Sequence, residues 1–287
     1  MAAAAAPHDR RLTAETFRLL RDLIYEYCGI FFADDNAYIV NRRLHQRLDA
    51  LSLVDYGEYY RYLVACDPGS RKAELEEIVD RVTTNETYFF RESYQLDAFR
   101  DEILPELYQS KPRGRRLSVW SAGCASGEEA YTIAILILET GLFNDWDVRV
   151  FGNDISRRCL HTARKAQYGR SSFRATDERL LRRYFRESEG KHQVRDEVRA
   201  LVSFGQINLM DEAMMRLVGD VDVIFCRNVL IYFDMPARKK VIATLHKKLV
   251  RGGYLLLGHS ESLINLTTAF DLVHLKNDMV YRKPENG

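Results

Sequence analysis

Apolar residues recur at helical spacing through the first part of the chain. Phe17, Leu20, Ile24 and Tyr27 follow Thr13, a residue suited to cap a helix, and Gly29 stands just past their end. Val40, Leu44, Leu48 and Leu51 form one apolar stripe on a second helix. A third helix is expected around Tyr56, Tyr59, Tyr60 and Leu63, stopped by Pro68-Gly69, and a fourth around Leu75, Ile78 and Val82. No period-two run interrupts them. Residues 13–80 are therefore expected to form an all-helical domain behind a flexible start at 1–12.

From residue 115 the pattern alternates. Strands are expected at 117–121, 147–152, 221–226 and 253–258, and helices at 127–140, 156–166 and 236–250. This rhythm predicts an α/β domain over 81–287 built on a doubly wound parallel sheet. Residues 272–275 and 279–282 are apolar runs joined by Lys276-Asn277-Asp278, which reads as a hairpin closing the sheet. Such a reversed closing strand is more usual in methyltransferases than in simple dinucleotide binders. Between 168 and 204 the rhythm breaks into a helix near 180–185, then Gly190 and short alternating stretches at 192–195 and 198–204. A small inserted antiparallel β subdomain is expected at about 186–204.

Composition narrows the function classes. A length of 287 residues favours two domains, and 46% hydrophobic residues suffice for two cores. A net charge of +1 offers no global attraction to nucleic acid or to a membrane surface, so electrostatic recognition must come from a local patch. The five cysteines form no C-x-x-C pair, which favours reduced thiols in the cytoplasm and argues against a metal site. No apolar run reaches the roughly 20 residues of a membrane span, so no membrane insertion is expected.

The candidate chemistry gathers at strand ends. Gly123 and Gly127 lie in a turn between an expected strand and helix, where backbone can approach a ligand closely. A phosphate binder usually keeps this turn free of acids, yet Glu128 and Glu129 open the helix. S-adenosylmethionine, with its sulfonium and ammonium and no phosphate, suits two carboxylates better than NAD does. Two acids that merely complement the helix dipole would look the same. Asp154 ends the next strand, placed to bind ribose hydroxyls or to cap the helix opening near Ser156. The strand at 221–226 runs into Arg227-Asn228-Val229, outside a carboxyl end where ligands bind in open α/β sheets. Tyr232 and Asn208-Leu209 fall at comparable edges, with core packing and a simple turn as the plainer readings.

Five stretches together resemble one family. They are Thr84-Asn85-Glu86-Thr87-Tyr88-Phe89-Phe90-Arg91, residues 120–131, Asn153-Asp154-Ile155-Ser156, residues 225–234, and Gly258-His259-Ser260-Glu261-Ser262. In their order they resemble the CheR chemotaxis methyltransferases, which methylate glutamates on bacterial chemoreceptors using S-adenosylmethionine. The resemblance implies a Rossmann-like class I methyltransferase sheet carrying an all-helical N-terminal domain and the small β insertion. It implies cofactor contacts at Asn85, Thr87, Arg91, Glu128, Asp154, Asn208, Leu209, Asn228 and Val229, and catalytic help from Arg91 and Tyr232. It also implies that the basic helix bearing Arg42, Arg43 and Arg47 meets the cytoplasmic helices of the receptor, whose acidic surface is complementary. A cytoplasmic monomer is expected, with S-adenosylhomocysteine as product. Ala130 stands where the family usually has proline and Asn153 where it usually has threonine; neither replaces an implied cofactor contact. An S-adenosylmethionine-sensing protein with little transfer activity would share the fold, but would have no need of Arg91 and Tyr232.

Overall fold

Contacts part the chain between Thr84 and Asn85, and the structure, a computed structural model, describes residues 11–111 and 115–285. In the first unit, helix α1 (Ala14–Cys28) begins where the Thr13 hydroxyl accepts from the Thr16 amide at 3.2 Å, and ends at Gly29 with φ 73°. Both features were legible as a cap and a left-handed terminator. Helix α2 (Ala37–Ala50) buries Val40, Leu44 and Leu48, the expected stripe. Helix α3 (Tyr56–Ala65) and helix α4 (Pro68–Val82) are capped by the Asp55 and Asp67 carboxylates, and proline opens α4, where its missing N–H costs nothing.

Two of the three arginines of α2 are used inside this unit. Arg47 donates from Nε and Nη2 to the two oxygens of Glu74, at 2.7 and 2.6 Å, and the Tyr59 hydroxyl donates to the same carboxylate. Glu74 is only 5% exposed, so the bidentate fork supplies the charge it needs. Burial, with the neighbouring carboxylate, pushes the Tyr59 phenol well above its ordinary range. Arg43 donates to the carbonyls of Val82 and Thr83 and to the Thr84 hydroxyl, which fastens the end of α4. That latch ties residues 82–84 to α2. Arg42 is exposed.

The second unit opens with a helical stretch the pattern did not announce. Helix α5 (Ser93–Ala98) passes through a π turn at Phe99–Ile103 into helix α6 (Leu104–Ser110). Pro105, which cannot donate, lies just beyond the π turn. There follow β1 (Arg116–Ala122), α7 (Glu128–Thr140), β2 (Asp147–Asp154), α8 (Arg157–Lys165), β3 (Gln167–Tyr168), α9 (Glu178–Tyr184), β4 (Phe185–Ser188) and β5 (Lys191–Val194). The chain continues through α10 (Asp196–Arg199), β6 (Val202–Gln206), α11 (Glu212–Met215), β7 (Val221–Cys226), α12 (Met235–Lys248), β8 (Leu249–Leu257), β9 (Asp271–His274) and β10 (Met279–Arg282).

The main sheet runs β6-β2-β1-β7-β8-β10-β9. Its first five strands are parallel, and β10 is antiparallel to both neighbours. The expected hairpin closes the sheet by inserting its second strand beside β8. Every residue of β7 is buried, as in a central strand covered on both faces. Val119 and Phe225 point into one core, Trp120 and Ile224 into the other.

The expected small antiparallel sheet is present, with its strands drawn from partly different segments. The second sheet is β3-β5-β4, so its strands come from Gln167–Tyr168, Phe185–Ser188 and Lys191–Val194. The later stretch, β6, pairs in parallel with β2 as the edge of the main sheet. A period-two pattern reports that a segment is extended but not which sheet it joins.

The Arg47–Glu74 fork yields a stability prediction. Arg47→Met should lower the opening free energy of the helical unit by about 2–3 kcal/mol, below the full cost of breaking a buried pair because Arg47 is partly exposed. Arg42→Ala should stay within about 0.5 kcal/mol. Hydrogen exchange measured on peptides from α2 and α4 checks both, and equal protection in the two variants would refute the assignment.

Candidate active site

The strand order reverses between β1 and β7, which opens a crevice at their carboxyl ends. The turn leaving β1 is held from below by Asn153, whose carbonyl accepts from the amides of Gly123 and Cys124 at 2.9 and 2.8 Å. The Asn153 side chain accepts from Trp120 Nε1 at 2.7 Å and donates to the Ile207 carbonyl at 3.0 Å. The residue standing in place of the family's threonine thus joins three strand ends. Asp154 accepts from the Ala125 amide with one oxygen and from the Ser156 amide with the other, both at 2.8 Å. These bonds fix the carboxylate at the end of β2, beside the turn that leaves β1. Ser156 itself caps α8 by accepting from the Cys159 amide.

Gly123, with φ +81°, clears space for a neighbouring side chain. A Cβ there would fall 2.4 Å from Val229 Cγ2. The turn after β1 and the loop after β7 are therefore in contact, and Val229 reaches the turn only because Gly123 has no side chain.

Both acids of α7's first turn are occupied. Glu128 is 3% exposed and accepts from the hydroxyls of Ser126 at 2.7 Å and Ser172 at 3.1 Å. Burial raises its pKa above the ordinary carboxylate value. Glu129 accepts from the Ser121 hydroxyl at 2.7 Å and meets Arg227 at 3.4 Å; burial raises it too, against the pull of Arg227.

The segment from Asn85 to Arg91 is pinned by its aromatic. Phe89 is fully buried, stacks on Phe173 with centroids 5.0 Å apart, and meets Tyr168 and Phe185 edge-on at 4.9 Å. The Phe89 amide donates to the Ser172 carbonyl and the Phe90 amide to the Thr132 hydroxyl of α7. The region around the insertion therefore forms the seat of this segment. Asn85 and Thr87 are half-buried on the approach to Arg91. Phe90 and Glu92, on either side of Arg91, have φ of +60° and +57°. Non-glycine residues in this region carry backbone strain that neighbouring contacts must offset. Arg91 donates to the Glu86 carbonyl at 2.9 Å, lies 3.7 Å from Glu92, and keeps 31% of its side chain exposed.

Beyond β7, Asn228 adopts φ +59° and the chain turns through a short 3₁₀ segment at Leu230–Tyr232. One carboxylate organises this loop. Glu261 accepts from the amides of Gly258, Asn228, Val229, Leu230 and Ile231 at 2.6 to 3.3 Å. Gly258 permits the close approach, since a Cβ there would lie 2.7 Å from the Asn228 nitrogen. Tyr232 ends the segment half-buried. Asn208 accepts from the Met210 amide at 3.0 Å, and Leu209 is buried beside it; the preceding Ile207 amide donates to the Asp154 carbonyl.

The fold thus brings Glu128, Asp154, Asn208, Leu209, Asn228, Val229, Tyr232 and the Arg91 segment to one edge of the sheet. The arginines of α2 belong to the other unit. Sequence reasoning gave no role to Arg227, Glu92 or Glu261, although Arg227 and Glu261 lie inside the motif stretches. Arg227 has 3% of its side chain exposed and donates to the Arg91 carbonyl as well as pairing with Glu92 and Glu129. Burial alone would push Glu92 up, but Arg227 and the His259 amide more than reverse this, and its pKa falls below the ordinary value.

Comparison with known proteins accords with this arrangement. Residues 85–279 match the family model described as CheR methyltransferase, SAM binding domain, and residues 15–83 match CheR methyltransferase, all-alpha domain. Chemotaxis protein methyltransferase 2 of Vibrio cholerae is 34% identical over 278 residues, covering 96% of this chain and 95% of that one. The chemotaxis protein methyltransferase of Vibrio parahaemolyticus is 36% identical over 279 residues, covering 94% and 98%. That of Salmonella typhimurium is 36% identical over 260 residues, covering 89% and 86%. With both units matched and the glycine turn, Asp154 and the Glu261-bound loop gathered at the switch point, the chain belongs to the CheR family of S-adenosylmethionine-dependent methyltransferases.

Proposed function

We propose that this protein transfers a methyl group to the side-chain carboxylates of glutamates on the cytoplasmic helices of bacterial chemoreceptors, giving glutamate methyl esters and S-adenosylhomocysteine. One observation carries the reading beyond family membership. The Arg91 segment is anchored by Phe89 next to an acid-bearing glycine turn, so a guanidinium suited to carboxylates stands beside a crevice suited to a cation.

The donor set fits the cofactor. Glu128 offers a buried carboxylate at the start of α7, Asp154 sets an acceptor carboxylate at the end of β2, and Leu209 and Val229 supply apolar surface. In this reading Asn85, Thr87, Arg91, Asn208 and Asn228 complete the contacts. Bound S-adenosylmethionine supplies an electrophilic methyl on a sulfonium, a good leaving group. The protein need not remove a proton, because a glutamate side chain with a pKa of about 4.3 is already ionised at neutral pH. Its task is to align the carboxylate and exclude water. Arg91 orients the incoming carboxylate with its planar fork, and Tyr232 borders the transfer site.

The role of α2 divides among its arginines. Arg42 is the exposed one and the natural first contact for an acidic receptor helix. Arg43 and Arg47 hold the helix that presents it. A docking effect is therefore cleanest in Arg42→Ala, which should raise the receptor KM at low salt and lose that effect as salt rises.

Transfer of labelled methyl to receptor-bearing membranes, released by mild alkali as methanol, tests the reaction. Arg91→Ala should lower kcat by about 10- to 100-fold with the fold intact. Wild-type turnover at saturating cofactor would remove Arg91 from catalysis, and alkali-stable label would rule out an ester.

Glu128 gives a prediction with opposite effects on stability and binding. Its folded pKa lies above the unfolded value, so nothing is lost below the unfolded value. As pH rises from there through the folded value, the buried charge increasingly penalises the folded state. Glu128→Gln should therefore raise the melting temperature of the cofactor-free protein at pH 7 and flatten its dependence on pH. The same change should weaken S-adenosylhomocysteine by about tenfold or more. Calorimetry measures both, and unchanged affinity would exclude Glu128 from the site.

A further inference from the structure

The direction of a side chain depends on the backbone that carries it, and at Arg91 that backbone is unusual. The residues on both sides, Phe90 and Glu92, are held at positive φ. The Arg91 carbonyl is bound by Arg227, which comes from the end of β7 and is almost wholly buried. Arg227 also pairs with Glu92 at 3.1 Å and with Glu129 at 3.4 Å. Glu129 is in turn held by the Ser121 hydroxyl, one residue before the end of β1. Glu92 additionally accepts from the His259 amide, in the loop after β8. One guanidinium therefore ties the Arg91 segment to the cofactor turn and to the loops after β7 and β8.

We propose that Arg227 is a positioning residue: it fixes the backbone of Arg91 against the glycine turn and thereby sets the direction of the Arg91 guanidinium. This rests on the reading of Arg91 given above. A buried ion pair that only stabilises the domain would need one or two carboxylates. Here the third acceptor is the carbonyl of the functional residue itself, flanked by two strained residues that an unbound segment would be expected to release. A planar fork can serve three acceptors in fixed directions, whereas a lysine ammonium is a point charge on a flexible stem.

The test is a double-mutant cycle with transfer rate and product affinity measured together. Arg227→Lys should lower kcat by about tenfold or more while S-adenosylhomocysteine affinity changes by less than about threefold. In an Arg91→Ala background the same Arg227→Lys change should lower kcat by less than about threefold, because there is no guanidinium left to position. Glu92→Gln is the second variant, since it leaves Arg227 paired with Glu129 and disturbs the fold less. It should reproduce a smaller kcat loss that also disappears in the Arg91→Ala background. If Arg227→Lys fails to fold, as circular dichroism melting would reveal, Glu92→Gln decides alone. Losses that persist in full without Arg91, or that follow product affinity, would overturn the proposal. Wild-type turnover in the single Arg91→Ala variant would instead overturn the catalytic reading of Arg91, and the positioning role with it.

Discussion

The reversal of strand order between β1 and β7 leaves adjacent strand ends whose connections run to opposite sides, and the rest of the functional edge is arranged around that opening. Three loops, after β1, β7 and β8, must then share one small volume. They do so because Gly123 has no side chain where Val229 lies, and because Gly258 has none where Asn228 lies. The glycines of these turns are thus explained first by chain-to-chain contact. Space for a ligand is what remains after the loops have met.

Carboxylates serve a repeated structural purpose in the α/β unit. Asp154 gathers the amides of the β1 turn and the start of α8, and Glu261 gathers five amides from two loops. Amides at a loop have no ladder partner, and an ionised oxygen is a strong acceptor for them. Each acid therefore converts an irregular segment into a fixed one. Glu129 and Glu92 act differently: they neutralise a buried arginine, and the arginine holds the backbone beside Arg91. The candidate site and its structural support are built from the same residue types, which is why acid-rich motifs here include braces.

The helical unit shows the same mixture. A basic face on α2 reads as a docking surface, and the exposed Arg42 keeps that reading open. Arg43 and Arg47 spend their donors on the end of α4 and on Glu74. A single step along the helix, from Arg43 to Arg42, separates a brace from an exposed neighbour, and charge pattern cannot distinguish them. Distinguishing them requires knowing that a buried carboxylate lies within reach.

Local physics made much of this protein legible from its residues. The caps at Thr13 and Gly29, the stripe of α2, the buried run of β7 and the strand-helix alternation follow from steric and periodic rules that act within a few residues. The family motifs fall at strand ends, where β1, β2 and β7 finish. What escaped was long-range or cooperative. Residues 93–110 hide their helices around a π turn and Pro105, which break the period. The strand at Val202–Gln206 joins the main sheet, because its partner β2 lies about fifty residues earlier and a two-residue period names no partner. Helix α12 gives way to β8 at Leu249, before the glycine pair that seemed to mark the strand. The amide-binding role of Glu261 and the clamp of Arg227 on Arg91 depend on segments brought together from over thirty and over a hundred residues away. Sequence determined the elements and the residue types at their ends; only tertiary structure decided which of those charges hold the chain together, because that depends on who their neighbours are.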